Sequence, residues 1–250
     1  VTAAIAFSCA KKVVLVGDEK QLPHVIKNSY INTLNHIFKV SGLAECYDYV
    51  HNSILVCVKK AVPSVADTLL REHYRCDPEI IGFCNKRFYN GKLVVIKDHM
   101  PGCGVNIISH PSHLARGRIN ERQAEIIARE LMPHLNPAKT GIAAPYRDQV
   151  ELLKTRFAET GMLIDTVHKF QGKECDTVIL STVANKVKFY EDEERIDFLN
   201  NPKLINVAIS RAVSKLYVLA SREILEQEGS ILRDMKKYCE YYCSETKVLQ

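Results

Sequence analysis

The chain has 250 residues, of which 46% are hydrophobic and 25% charged, enough for one good core or one core with part of another. These proportions exclude disordered and collagen-like classes, and no apolar run approaches the roughly 20 residues needed to cross a bilayer. Positive residues exceed acidic ones by five, which permits a polyanionic partner but falls short of a domain built to coat nucleic acid.

Val1 to Phe7 is apolar but has no basic flank, so it does not read as a targeting signal. Val13 to Val16 is the first short run rich in β-branched residues. Others follow at Leu93 to Ile96, Val105 to Ile108, Gly141 to Ala144, Met162 to Ile164, Thr177 to Val183 and Leu216 to Ala220. Several are continuous rather than alternating, as strands buried on both faces should be.

Helical patterns lie between many of these runs. Asp77-Pro78 sets a capping carboxylate before a first-turn proline, leading into Ile81, Cys84 and Phe88. Asn120 with Gln123 reads as a capping pair for a helix to Leu131, with Ile127 on its buried side. Pro145 opens a helix carrying Val150, Leu153 and Phe157, which Gly161 stops. Asn201-Pro202 opens another over Leu204 to Ala212. Strands alternating with helices predict a parallel sheet with crossover helices, an α/β class.

The stretch from Asn185 to Asn200, with acidic residues at 191 to 194, breaks that rhythm and reads as an exposed excursion. From Glu223 onward, Leu225, Ile231, Leu232, Met235 and Tyr242 predict amphipathic helices closing over the sheet. No internal repeat or low-complexity tract is present in the sequence.

Nine cysteines are scattered without a Cys-x-x-Cys pair or a Cys/His set at zinc spacing. Reduced thiols in a cytosolic or nuclear compartment are expected, with no metal site.

Four segments carry candidate chemistry. Val13 to Pro23 runs a strand into a loop with Asp18 and Gln21 at its mouth, where ligands of open α/β sheets gather, though a polar turn would read the same way. In Leu70 to Pro78, Tyr74 beside Arg75 offers a stacking face and a cation, a pairing also common on plain surfaces. Asp165 to Asp176 is a polar connection in which Gly172 permits close backbone approach; it reads as a binding loop or a solvated one. Asn206 to Ala212, placed on the helix that Pro202 opens, sets Arg211 among small neighbours, held toward a phosphate or salt-bridged.

In this order the segments resemble motifs III to VI of superfamily 1 helicases. The matching residues are Gly-Asp-x-x-Gln-Leu-Pro at 17 to 23, His-Tyr-Arg at 73 to 75, Ala-Pro-Tyr-Arg-x-Gln at 144 to 149, Thr-Val-His-x-Phe-Gln-Gly-x-Glu at 166 to 174 and Asn-Val-Ala-Ile-Ser-Arg-Ala at 206 to 212. The resemblance is to the branch of RNA-surveillance and DNA-processing helicases, a P-loop NTPase lineage. It implies a RecA-like fold, with ATP clamped between two such domains and single-stranded DNA or RNA bound across them.

By the same resemblance Gln21 would sense the γ-phosphate, Arg75 and Arg211 would be arginine fingers, and Tyr74 would stack on adenine. Gly172 and Glu174 would border the nucleotide. Pro145, Thr166 and His168 would face the strand backbone. Ser210 stands where many relatives carry Thr, and His24 where a second proline is usual.

The Gly-x-x-x-x-Gly-Lys-Ser/Thr phosphate loop is absent from the sequence; Gly91-Lys92-Leu93 and Lys139-Thr140-Gly141 both lack its glycine frame, and the first also lacks the hydroxyl after the lysine. Residues 1 to about 60 are therefore expected to be the tail of a first RecA-like domain with its linker, starting just past the acidic metal motif, and 61 to 250 a second RecA-like domain. ATP and Mg²⁺ would be held only with the missing domain, so the chain alone should not hydrolyse ATP. An intracellular protein without membrane association is expected; the other reading is a non-catalytic nucleic-acid-binding module.

Overall fold

The computed structural model describes residues 2–112, 118–183, 185 and 200–243. The chain divides into two compact units, Val1–Leu70 and Arg71–Gln250. Apart from its two end residues, the excursion expected over 185 to 200 lies outside the described residues.

The first unit contains helices α1 (Thr2–Ser8), α2 (Asn28–Ser41) and α3 (Ile54–Ala61). Ser53 caps α3 by accepting from the amide of Val56 at 3.3 Å. The expected strand at Val13 to Val16 is not formed, and Val14 and Val16 are 87% and 88% exposed. A strand exists only against a neighbour that takes up its amides and carbonyls, and among the described residues of this unit there is no other strand.

The second unit is built on a five-stranded sheet of β3 (Gly104–His110), β4 (Thr140–Ala144), β5 (Leu163–Thr166), β6 (Cys175–Ser181) and β7 (Ala212–Ser221), in the order β3-β7-β6-β4-β5. Every pairing is parallel, the α/β architecture expected from the continuous apolar runs. A separate parallel pair joins β1 (Glu72–His73) to β2 (Val94–Val95), so the run at Leu93 to Ile96 forms a strand outside the main sheet, with Val94 and Ile96 exposed.

Helices cover both faces. On one face, α5 (Glu121–Ile126, continued as a π-helical stretch Ile127–Leu131) and α6 (Arg147–Arg156) bury Ile127, Leu131, Val150 and Leu153 against Ile108, Ile142 and Ile179. The other carries α4 (Pro78–Phe88), α7 (Val167–Phe170) and α8 (Pro202–Ile209), with α9 (Arg222–Glu226) and α10 (Ile231–Tyr242) closing beyond them. Phe170 lies against Gly141, where an added Cβ would sit 2.9 Å from the ring, so β4 needs its glycine for this close approach.

The caps follow the sequence with two departures. Asp77 and Asn201 cap α4 and α8 with proline in the first turn, as expected. Asn120 caps α5 by accepting from the amide of Gln123 at 3.0 Å, but the Gln123 side chain does not return to Asn120; it enters the core, where several partners compete for it. Tyr242 is 59% exposed rather than buried, because it falls at the last turn of α10, beyond Cys239, the last residue that helix buries. No helix among the described residues is long and apolar enough to cross a membrane.

Candidate functional site

The segment carrying Arg75 is fixed from both sides. Upstream, His73 is in the β1–β2 ladder; downstream, the Asp77 amide donates to the Val213 carbonyl at 2.8 Å, fastening the entrance of α4 to the start of β7. Lys97 Nζ donates to the carbonyls of Arg75 at 3.0 Å and Val213 at 3.2 Å. With the backbone held, the Arg75 side chain reaches across: Nη2 donates to the Ser210 carbonyl at 2.8 Å and Nη1 pairs with Glu174 at 3.2 Å.

Arg211 is not on α8, which ends at Ile209, with Ser210 as its C-cap. Its carbonyl accepts from the Cys175 amide at 3.1 Å, so the β6–β7 ladder has already claimed this backbone and the helix cannot continue through it. The Arg211 guanidinium donates to the Ser210 hydroxyl at 3.2 Å and to the Lys173 carbonyl at 3.5 Å.

Arg75, Glu174, Ser210 and Arg211 thus form one cluster at the amino ends of β6 and β7. Gly172, at φ 84°, makes the turn that carries Lys173 and Glu174 into β6, a conformation that disfavours any side chain with a Cβ. Tyr74 is 62% exposed, its hydroxyl donating to Glu72.

The expected polar loop over 165 to 176 is in part helix: Val167 and Phe170 of α7 are fully buried. The core claimed two side chains out of a segment whose composition looked solvated.

Charge in this cluster is out of balance. Arg211 is only 5% exposed, and burial, then the Arg75 guanidinium, pull its pKa below the usual arginine value. Burial and the neighbouring cations Arg75, Lys97 and Arg211 push His73 down to about 4. It is neutral at pH 7, and its Nε2 accepts from the Cys76 amide at 3.0 Å.

Nε of Arg75 and Nε of Arg211 are buried without a hydrogen-bond partner. A buried donor left unmatched costs about 1–3 kcal/mol, more on a charged group. Both donors stand on guanidinium groups that reach Ser210, so the unmatched positive charge is concentrated at one point of the fold.

A second group lies at the opposite, carboxyl ends of the strands. Pro145 follows the end of β4, and Thr166 ends β5 in register with Ala144. Pro145 is buried and Thr166 is 9% exposed, so neither presents an open side-chain face. His168 in α7 is half-buried, and burial lowers its pKa. Gln21 belongs to the first unit, where its Nε2 donates to Asp18 Oδ2 at 2.9 Å.

The sequence reading missed the parts that join the two arginines. The Ser210 carbonyl and Lys97 are cluster members only through the fold, since a carbonyl has no sequence signature. Asp77, Glu79 and His99 also stand together near the entrance of α4; His99 Nδ1 lies 3.0 Å from Asp77 Oδ1 and His99 Nε2 lies 3.8 Å from Glu79 Oε1. No local spacing pattern connects residues 79 and 99, so that set was not legible either.

Residues 109–223 match the family model described as an AAA domain. Over most of its length the chain is similar to curated helicases. It is 27% identical to the DNA replication ATP-dependent helicase/nuclease DNA2 of Gallus gallus, covering 84% of this chain and 21% of the relative. It is 25% identical to the RNA helicase Mov10l1 of Mus musculus, covering 87% and 21%, and 30% identical to the Probable helicase MAGATAMA 3 of Arabidopsis thaliana, covering 87% and 28%.

The chain carries a helicase-family domain homologous to superfamily 1 helicases.

Its parallel sheet with helices on both faces is the α/β architecture of a RecA-like fold. The chain spans about a quarter of the length of the curated relatives it matches. One of them is named a DNA replication ATP-dependent helicase/nuclease and another an RNA helicase.

Proposed function

We propose that residues 61–250 are the second motor domain of an ATP-dependent, intracellular helicase, presenting Arg75 and Arg211 as arginine fingers to the phosphates of ATP. The carrying observation is the meeting of these guanidinium groups around Ser210, each with a buried Nε–H lacking a partner. Bound ATP with Mg²⁺ supplies the phosphoryl group passed to water, and the transition state spreads negative charge over its oxygens. Arg75 and Arg211 stabilise that charge.

Glu174 pairs with Arg75 through an exposed ion pair, an interaction worth little in solvent and readily exchanged for a phosphate. Glu174 and Gly172 border the nucleotide, and Tyr74 offers its exposed ring to adenine. The phosphate loop and the carboxylates for Mg²⁺ come from another part of the parent protein. Residues 1 to about 60 are the remnant of that first motor domain with its linker; the exposed apolar run at Val13 to Val16 supports this, being the pattern of a strand awaiting a sheet.

Single-stranded DNA or RNA passes over the carboxyl edge carrying Pro145, Thr166 and His168, and hydrolysis drives translocation and unwinding. The test is strand-stimulated ATPase activity of the intact parent. Arg211→Ala should abolish turnover while single-strand affinity persists; near-normal hydrolysis would dismiss the finger assignment. If the parent binds strands but never hydrolyses ATP, the protein is a non-catalytic nucleic-acid-binding module instead.

A further inference from the structure

Beneath the carboxyl edge of the sheet lie Asn120, Gln123 and Gln149, three amide side chains with no exposed surface. They form one connected knot. Gln149 Oε1 accepts from the Asn120 amide at 2.7 Å, and Gln149 Nε2 donates to the Asn120 carbonyl at 3.2 Å and to Ser181 Oγ at 3.1 Å. Gln123 Oε1 accepts from Ser181 Oγ at 2.8 Å and from the Val183 amide at 3.0 Å. Gln123 Nε2 lies 3.0 Å from His110 Nε2 and donates to the Leu219 carbonyl at 3.3 Å. Asn120 Nδ2 donates to the Val183 carbonyl at 3.1 Å.

Two of the knot's hydrogen bonds go to Val183, which sits at φ 67°. A left-handed conformation at a β-branched residue is an outlier that persists only when surrounding structure over-determines it. Here the Val183 amide is taken by Gln123 and its carbonyl by Asn120, so the residue is gripped on both sides of its Cα. The same knot holds the first turn of α6 through Gln149, and that turn follows Pro145. Strand order places β4 between β6 and β5, so the exit of β6 at Val183, the turn at Pro145 and the end of β5 at Thr166 are consecutive features of one edge.

We propose that Gln123, with Asn120 and Gln149, is a set of positioning residues that clamps Val183 in the left-handed conformation and so pre-forms the edge on which single-stranded nucleic acid lies. This rests on the strand-binding reading given above. Ordinary core packing would be served by apolar side chains; two buried amides converging on a strained backbone, with Gln149 bracing Asn120 and Ser181 behind them, fix a direction of the chain. Glycine adopts φ near 67° without strain, so Val183→Gly should make the clamp dispensable for the geometry while leaving its hydrogen bonds in place.

The experiment is a double-mutant cycle of Gln123→Ala and Val183→Gly in the 250-residue chain, with Gln123→Met as the volume-conserving alternative should the alanine variant not fold. Two quantities are read: affinity for a labelled single-stranded oligonucleotide, and the melting temperature. With Val183 present, Gln123→Ala should weaken strand affinity about tenfold; in the Val183→Gly background the loss should shrink to less than about threefold. The melting temperature should behave oppositely. Losing Gln123 should cost fewer degrees with Val183 present, because relaxation at Val183 recovers its strain, than with glycine, where there is none to recover.

Equal losses of affinity in both backgrounds overturn the clamp, since a residue with only a packing role would give additive effects. A wild-type chain that binds no strand overturns the reading of the edge and with it the consequence drawn for strand binding. The melting cycle then decides the clamp itself: non-additivity upholds it and additivity sinks it.

Discussion

Arg75 Nη2 donates to the carbonyl of Ser210, 135 residues further along the chain, at 2.8 Å, and the next residue after Ser210 is Arg211. One backbone group therefore sets the spacing of two cations that the sequence keeps far apart. It can do so because that carbonyl stands between the end of α8 and the start of β7, and Asp77 ties the Arg75 segment to the same strand.

The 250-residue chain by itself should hydrolyse ATP no faster than a buffer blank. The phosphate loop is absent from its sequence, and arginine fingers stabilise a transition state only when another group holds the nucleotide. A coupled assay with Mg²⁺ reads this directly, and magnesium-dependent turnover above the blank would mean the catalytic set lies within these residues.

Stability should fall as pH drops from about 6.5 toward 4, with His73 as one cause. The native His73 titrates near 4 and the unfolded one near 6.5, so in that window the unfolded chain binds a proton that the folded chain refuses. Its contribution is fully present above the unfolded value and lost on descending to the folded one. Urea unfolding at pH 7 and pH 5 measures it: His73→Gln, whose side-chain oxygen can still accept from Cys76, should lose less stability between the two pH values than the wild type. An unchanged difference would remove His73 as a contributor.

Gly141→Ala should destabilise the chain by about 1–3 kcal/mol, the usual cost of forcing extra volume into a packed interior. The new methyl would stand 2.8 Å from Cys175 Sγ and 2.9 Å from the Phe170 ring. Denaturant titration gives the value, and a change under about 0.5 kcal/mol, the range of an unremarkable surface substitution, would show that α7 can move off β4 freely.

Much of the second unit was legible in the sequence, for identifiable reasons. The runs at Val105 to Ile108, Gly141 to Ala144 and Leu216 to Ala220, and the run from Thr177 as far as Ser181, become strands of the main sheet because each is largely apolar and has parallel neighbours. Val13 to Val16 has the same composition and remains unpaired, since strand formation is a property of the pair and not of the run. Asp77 and Asn201 behave as written because capping is settled within a few residues.

The positions of the site were legible, and its geometry was not. Arg75 and Arg211 stand out in the sequence by pattern, but their meeting depends on β7 lying beside β6 and on a carbonyl that any residue could supply. Placing Arg211 on a helix was wrong for the same reason, because the sheet captures its backbone one residue after α8 ends. Gln123 looked like a local cap partner and instead serves residues nearly 60 positions away.

The most direct measurement is strand-stimulated ATP turnover by the intact parent carrying Arg75→Ala, Arg211→Ala or both. If the two guanidinium groups act together on one set of phosphates, each single change should lower turnover by about 10³ or more, and the double change should be little worse than either alone. Turnover within a few-fold of wild type in either single variant, or losses that multiply in the double, would contradict a shared phosphate site around Ser210.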